Sequence, residues 1–164
     1  MDGITEMPLL PRCLAPDLLR ELCPMSSDTR PAATSSLFDD ALRCERRQGR
    51  LHLRLDLLPQ GRDWLALLRG GAAHIGATAL ALPPGERAAA EETAWSIGRP
   101  GHREEELARQ VADRLAQAAG RAVCCCAGIH YAAITPEEIR LVLRLVDDLT
   151  DEAARYLRQR GQEA

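Results

Sequence analysis

The sequence predicts an α+β fold, a largely antiparallel sheet of about five strands with two amphipathic helices packed on one face. Four short strand-like segments follow one another between residues 51 and 98. A fifth, at 121–128, lies between two helical segments at 103–119 and 136–159. Both helical segments repeat apolar residues at helical spacing, so each has one apolar side that would cover the sheet.

The first strand is the clearest in the chain. Residues 51–57 (LHLRLDL) alternate apolar and polar side chains without a break, which is the period of a strand with one wet face. A turn at 59–63 and an apolar return at 64–69 complete a predicted hairpin. His52 falls on the polar phase of the first strand, and we expect it at the surface.

Two more strands are predicted next along the chain. Residues 74–82 (HIGATALAL) form the third, and its small side chains would let another element approach the sheet closely. The segment PPG at 83–85 ends it. Residues 93–98 (TAWSIG) can return as a fourth strand, antiparallel to the third.

The first helix and the last strand are predicted together. Residues 103–119 form an amphipathic helix, and Gly120 occupies the position of a C-cap. Residues 121–128 (RAVCCCAG) are apolar on both faces, which is typical of a central, covered strand.

The final helix has a well-marked beginning. Thr135 is the predicted N-cap, Pro136 the first helical residue, and Glu138 the partner that closes a capping box. Ile134 and Ile139 have the spacing of a hydrophobic staple. Such a helix directs unpaired backbone N–H groups toward whatever precedes it.

Length and composition predict one domain with an appendage. The chain has 164 residues, which is too short for two full domains. Residues 1–37 are expected to be an N-terminal arm followed by a Ser/Thr/Pro linker, and residues 38–164 a single α+β domain. The arm is leucine-rich, and both packing on the domain and docking on a partner are consistent with it.

Charge and composition argue against several functional classes. The formal net charge is −3 and aromatic residues make up 3% of the chain, so neither a strong positive field nor a base-stacking platform for nucleic acid is expected. No apolar run is long enough to span a bilayer, and the N-terminus does not resemble a secretory signal. We therefore expect a cytoplasmic protein that binds neither nucleic acid nor membranes.

The six cysteines do not predict a disulfide framework or a zinc site. Three are contiguous at 124–126, and neighbouring residues on a strand point to opposite faces. Cys13, Cys23 and Cys44 are scattered, and no pair has Cys-x-x-Cys spacing. Reduced, buried thiols in a cytosolic protein are the expectation.

Three segments each combine glycine and histidine next to a strand or helix end, which makes them the candidate site. Two of them precede predicted helix N-termini, where backbone N–H groups favour anions. Glu104, Glu105 and Glu106 are expected to form a solvated first turn. The candidate site residues are His74, Ile75, Gly76, Gly101, His102, Arg103, Gly128, Ile129 and His130.

These segments carry a family resemblance. The motifs are GAAHIGA at 71–77, PGHREEELA at 100–108, and AGIH at 127–130 followed by ITPEEI at 134–139. In this order and spacing they resemble the LpdD-like chaperones of prenylated flavin, which are associated with UbiD-type decarboxylases; the resemblance covers about residues 40–158. It implies a fold similar to the small proteasome-assembly chaperones, a homodimer, and binding of prenylated FMN (or FMN) for a UbiD-type decarboxylase without catalysis.

Such a ligand suggests a role for each candidate. The turns at Gly101 and Gly128 and the side chain of Arg103 could bind the phosphate. The three histidines could hydrogen-bond the ring or the phosphate. The residues suited to close approach and an apolar wall are Gly76, Ile75 and Ile129.

Other interpretations stay open at this stage. A histidine before a helix is at least as often a capping or solvated residue as a ligand. A dimeric protein-assembly module without cofactor is one alternative function, and a small histidine-dependent or metal-dependent enzyme is another. The three histidines could gather around a metal ion, which their spacing neither supports nor excludes, and no metal ligand is assigned.

Overall fold

The computed structural model describes residues 41–87 and 94–163, which form a six-stranded sheet with helices. It confirms the predicted α+β class and the largely antiparallel sheet. The predicted arm and linker at 1–37 lie outside the described residues. The elements in chain order are β1 (Leu42–Gln48), β2 (Leu51–Gln60), β3 (Asp63–Gly71), β4 (Ala77–Ala81), α1 (Pro84–Arg87), β5 (Ala94–Gly98), α2 (Glu105–Ala119), β6 (Val123–His130) and α3 (Pro136–Glu163).

β1 is a strand that the sequence did not predict. Leu42 and Cys44 are the only apolar residues in its sequence LRCERRQ. It lies at one edge of the sheet and pairs antiparallel with β2, with Cys44 opposite Leu55. Charged side chains suit an edge strand because they oppose further pairing with other chains.

The predicted hairpin is confirmed as β2 and β3, which pair antiparallel around a turn at Gly61. The apolar phase of β2 is buried and the opposite phase, including His52, is more exposed, except that Asp56 is buried. The buried leucines of β2 are Leu51, Leu53, Leu55 and Leu57.

The strand order is β1-β2-β3-β6-β4-β5. β6 pairs parallel with β3 and antiparallel with β4, and β4 pairs antiparallel with β5, as predicted for the third and fourth strands. β6 is therefore mid-sheet, as the sequence predicts. The bounds of two strands differ: the third predicted strand, 74–82, is Ala77–Ala81, and the fifth, 121–128, is Val123–His130.

Two helices cover one face of the sheet. α2 packs on β4, β5 and β6, whereas α3 packs on β1 and β2. α2 ends as predicted at Gly120, which has a left-handed φ of 60° and donates its N–H to Ala116 O at 3.0 Å. Arg114 on α2 forms ion pairs with Asp147 and Asp151 on α3. None of the described helices is long and apolar enough to cross a bilayer.

The capping box of α3 is present. The N–H of Glu138 donates to Thr135 Oγ1 at 3.2 Å, and the N–H of Thr135 donates to the Glu138 carboxylate at 2.9 Å. Arg50, in the β1–β2 turn, forms a bidentate pair with Glu138. The α3 N-terminus thus uses its own side chains to satisfy two N–H donors, those of Thr135 and Glu138, and Arg50 holds the Glu138 carboxylate in place.

No helix among the described residues covers the other face of the sheet, which corrects the expectation that β6 is covered on both sides. Cys124 and Cys126 point to this side and are only half-buried. We call the apolar part of this side the open face. By strand register its two rows are Leu65, Cys124, Leu80 and Trp95, and Leu67, Cys126, Thr78 and Ile97.

Candidate functional site

The loop between β3 and β4 lies along the end of β6. Ala72 N donates to His130 O, and Gly76 N donates to Ala127 O, both at 2.9 Å. Gly128 allows this contact, because a Cβ built there would lie 1.6 Å from the carbonyl oxygen of His74. A residue with a side chain would push the loop away, so glycine at 128 fixes the position of His74.

A second segment closes over the same loop. Arg99 N donates to Gly76 O at 2.8 Å, and His102 N donates to Arg99 O at 3.0 Å. The intervening turn contains Gly101 at a φ of 81°, where glycine is favoured. These bonds bring His102 from the start of α2 to His74.

The two imidazoles and one carboxylate form a compact cluster. His74 Nε2 lies 2.9 Å from His102 Nδ1 and 3.5 Å from Glu104 Oε1, and His102 Nδ1 lies 3.7 Å from Glu104 Oε2. We call these three residues the His–Glu cluster. Their side chains are 20%, 27% and 12% exposed, in chain order. The ring of His130 is close by, with its centroid 6.1 Å from that of His74.

Glu104 is the site residue that sequence reasoning missed. The expected solvated first turn is wrong for this residue, since its carboxylate points into the cluster and makes no capping hydrogen bond to α2. The N–H of Ile129 donates to Glu104 Oε1 at 3.4 Å. Gly76 leaves room for the carboxylate, because a Cβ there would approach it to 2.8 Å.

A contact at its other ring nitrogen orients His74. His74 Nδ1 lies 3.2 Å from the carbonyl oxygen of Ala72, a distance that suits an N–H donated to that carbonyl. That tautomer leaves a lone pair on Nε2, which faces His102 and Glu104. The arrangement therefore offers two ring nitrogens and a carboxylate oxygen within 4.8 Å of one another, a donor set that could hold a metal ion.

All three predicted segments meet at this point. The cluster includes His74 and His102. Gly76 and Ile129 contact Glu104, and Gly128 contacts the His74 backbone. Ile75 is 62% exposed beside it, His130 is exposed at the end of β6, and Arg103 is exposed one residue from Glu104. Gly101 shapes the turn without contacting the cluster, since a Cβ there would meet nothing within 4 Å.

A separate charged cluster lies on β1–β3. Asp56 is buried and accepts hydrogen bonds from Arg43, Arg54 and Arg69. Burial raises the pKa of the Asp56 carboxyl, but the three arginines outweigh it and hold that pKa below its usual value. These ion pairs link β1, β2 and β3 to one another.

Comparison with known proteins identifies the family. A sequence model of the prenylated flavin chaperone LpdD-like domain matches residues 47–158, most of the chain and every candidate residue. The chain belongs to this family. The resemblance in the motifs is thereby confirmed, and the LpdD-like match includes Glu104 as well.

Two further comparisons add less to the family assignment. A chain in the crystal structure of a chaperone complex for yeast 20S proteasome assembly has a TM-score of 0.48 and 10% sequence identity to this one. That likeness covers 71% of this chain and 98% of the other. No curated protein matches the sequence.

Proposed function

We propose that this LpdD-like protein is a non-catalytic carrier that binds prenylated FMN and supports maturation of a UbiD-type decarboxylase. The family supports the chemical class of ligand. The observation that carries the proposal is that three distant segments, each predicted from glycine and histidine, converge on one surface site with polar and apolar groups side by side. A carrier needs such an accessible site, because its ligand must leave again.

The site suits the flavin ring. Ile75 presents a largely exposed apolar side chain next to His74, and Ile129 is half-buried beside it. A flat ring system could pack on these side chains while His102 and His130 hydrogen-bond its polar edge. Gly76 and Gly128 act indirectly, because the space beside them is taken by the Glu104 carboxylate and the His74 carbonyl group.

The site suits the flavin phosphate less well than the flavin ring. Arg103 is exposed next to the cluster and offers a cation, but the carboxylate of Glu104 lies at the centre of the site and repels an anion. At the α3 N-terminus, the N–H groups of Thr135 and Glu138 are occupied by the capping box. The phosphate must therefore bind on the Arg103 side or through a cation held by the cluster.

The protein should act as a homodimer in the cytoplasm. The open face exposes Leu80 at 41%, Trp95 at 42% and Ile97 at 74%, on neighbouring strands. Contiguous apolar patches of this kind are typical of association surfaces. We assign the open face to a second copy of the chain, leaving the His–Glu cluster, at the strand ends, accessible.

The proposal is tested by co-expressing the protein with a flavin prenyltransferase and analysing the purified protein by absorbance and mass spectrometry. The wild type should retain prenylated FMN. The double variant His74→Ala/His130→Ala should lose it, whereas His52→Ala, a histidine on β2 outside the site, should keep it. A colourless wild type, or a double variant that retains the flavin, would contradict the carrier function.

A protein-assembly module without cofactor is the second candidate, and the open face favours it. It predicts a stable complex with a partner protein that survives replacement of all three site histidines. Copurification with a UbiD-type decarboxylase separates the two: a carrier should associate in a flavin-dependent manner, and an assembly module should associate with or without flavin.

A further inference from the structure

We infer that His74, His102 and Glu104 bind one divalent transition-metal ion of the zinc class. The ligands would be His74 Nε2, His102 Nδ1 and one carboxylate oxygen of Glu104. This inference goes beyond the flavin proposal and does not depend on it, because the metal alone is the ligand.

The spacing of the three atoms suits a metal. Zinc binds imidazole nitrogen and carboxylate oxygen at about 2.0–2.2 Å in tetrahedral geometry, which places neighbouring ligand atoms about 3.3 Å apart. Here the two ring nitrogens lie 2.9 Å apart, His74 Nε2 lies 3.5 Å from Glu104 Oε1, and His102 Nδ1 lies 3.7 Å from Glu104 Oε2. One ligand atom from each residue lies within 4.8 Å of the other two, so a small movement of the carboxylate would complete the coordination.

The surroundings of the cluster are those of a metal site. A metal-binding histidine usually donates its other ring N–H to a carbonyl or carboxylate, which fixes the tautomer and aims the free nitrogen. His74 Nδ1 has that partner in Ala72 O at 3.2 Å. The carboxylate of Glu104 is oriented in turn by the N–H of Ile129 and by contact with Gly76.

When both imidazoles are neutral, the three ligand atoms share a single side-chain N–H. With Nδ1–H of His74 directed at Ala72, its Nε2 is an acceptor, and the oxygens of Glu104 are acceptors as well. A neutral His102 has a single N–H to offer, and its Nδ1 faces both acceptors. A cation would satisfy all three ligand atoms at once.

The ion would reverse the charge of the site. Two neutral imidazoles and one carboxylate carry a charge of −1, and a divalent ion changes it to +1. Three protein ligands leave one position of a tetrahedral ion open. That position would accept water or an oxygen of an anionic ligand such as a phosphate.

Metal binding is tested on the full chain after removal of any histidine tag and dialysis against a chelator. Calorimetric titration with Zn²⁺ should show one tight site per chain. Loss of a group that only orients a metal ligand costs about 10–100-fold in affinity, so loss of a direct ligand in His102→Ala or Glu104→Gln should weaken binding by at least about 100-fold. His52→Ala, a histidine on β2 outside the site, is the matched control and should bind as the wild type does.

Two further measurements separate metal binding at this cluster from a folding defect and from binding at the thiols. Glu104→Gln keeps the size of the side chain and an oxygen for the Ile129 N–H, and circular dichroism should show it folded. Co²⁺ in the wild type should give the absorption of a nitrogen–oxygen site without the thiolate charge-transfer band that binding at Cys124 and Cys126 would produce. No Zn²⁺ uptake by the wild type, uptake unaffected in Glu104→Gln, or a thiolate band would overturn the inference.

Discussion

Replacement of Gly128 by alanine should displace the loop that holds His74. The new Cβ would lie 1.6 Å from the carbonyl oxygen and 2.5 Å from the carbonyl carbon of His74, both backbone atoms that cannot rotate away. Ordinary van der Waals contact begins near 3.4 Å. The loop must move, and its two hydrogen bonds to β6, from Ala72 and Gly76, would be strained or broken.

The cost can be worked out from these contacts. Two hydrogen bonds contribute about 1 kcal/mol each, and overpacking costs about 1–3 kcal/mol, so Gly128→Ala should lower the free energy of unfolding by about 3–5 kcal/mol. Urea denaturation followed by circular dichroism measures it. The control is Gly161→Ala in α3, where a Cβ meets nothing within 4 Å and stability should stay level or rise by up to about 1 kcal/mol. A Gly128→Ala protein as stable as the wild type would refute the reasoning.

Three other variants test the helix cap and the open face. Thr135→Ala should lower stability by about 1 kcal/mol in the same denaturation assay, because the cap of α3 is lost. The Arg50 hydrogen bond and then the Thr135 N–H lower the pKa of Glu138 from 4.5 to about 2, so its stabilisation is present above pH 4.5 and lost toward pH 2. Glu138→Gln should therefore be less stable than the wild type at pH 7, with the difference shrinking below pH 4.5; a constant difference would argue against this pair. Ile97→Asp should shift the protein to monomer in light scattering, whereas Ile139→Asp, at an exposed position of α3 outside the open face, should not.

The spacing of apolar residues and the helix-capping residues predicted most of the fold, because these signals are local in sequence. The alternation of β2, the left-handed Gly120 and the Thr135 capping box each depend on residues close in sequence, and the structure contains all three. β1 was not predicted because its charged side chains, which suit an edge strand, are also typical of a loop. The apolar sequence of β6 could not reveal that the helices of the described part of the chain cover only one of its faces.

The site was predictable to the level of segments but not of its chemistry. Glycine beside histidine indicated which segments approach one another, and the backbone contacts of Gly76 and Gly128 give the reason. Glu104 looked like an ordinary acidic first-turn residue. Its inward orientation depends on contacts with Gly76 and Ile129, which are distant in sequence, and no periodicity carries that information.

Glu104 links the flavin and metal proposals in a way that one experiment can separate. Without metal its carboxylate repels the flavin phosphate, so in chelator Glu104→Gln should bind FMN more tightly than the wild type. With Zn²⁺ the order should reverse, because only the wild type retains the ion that attracts the phosphate. Linkage requires that Zn²⁺ and FMN raise each other's affinity by the same factor in the wild type. If FMN affinity is indifferent to Zn²⁺ while both ligands bind, the phosphate lies on the Arg103 side and the two sites act independently.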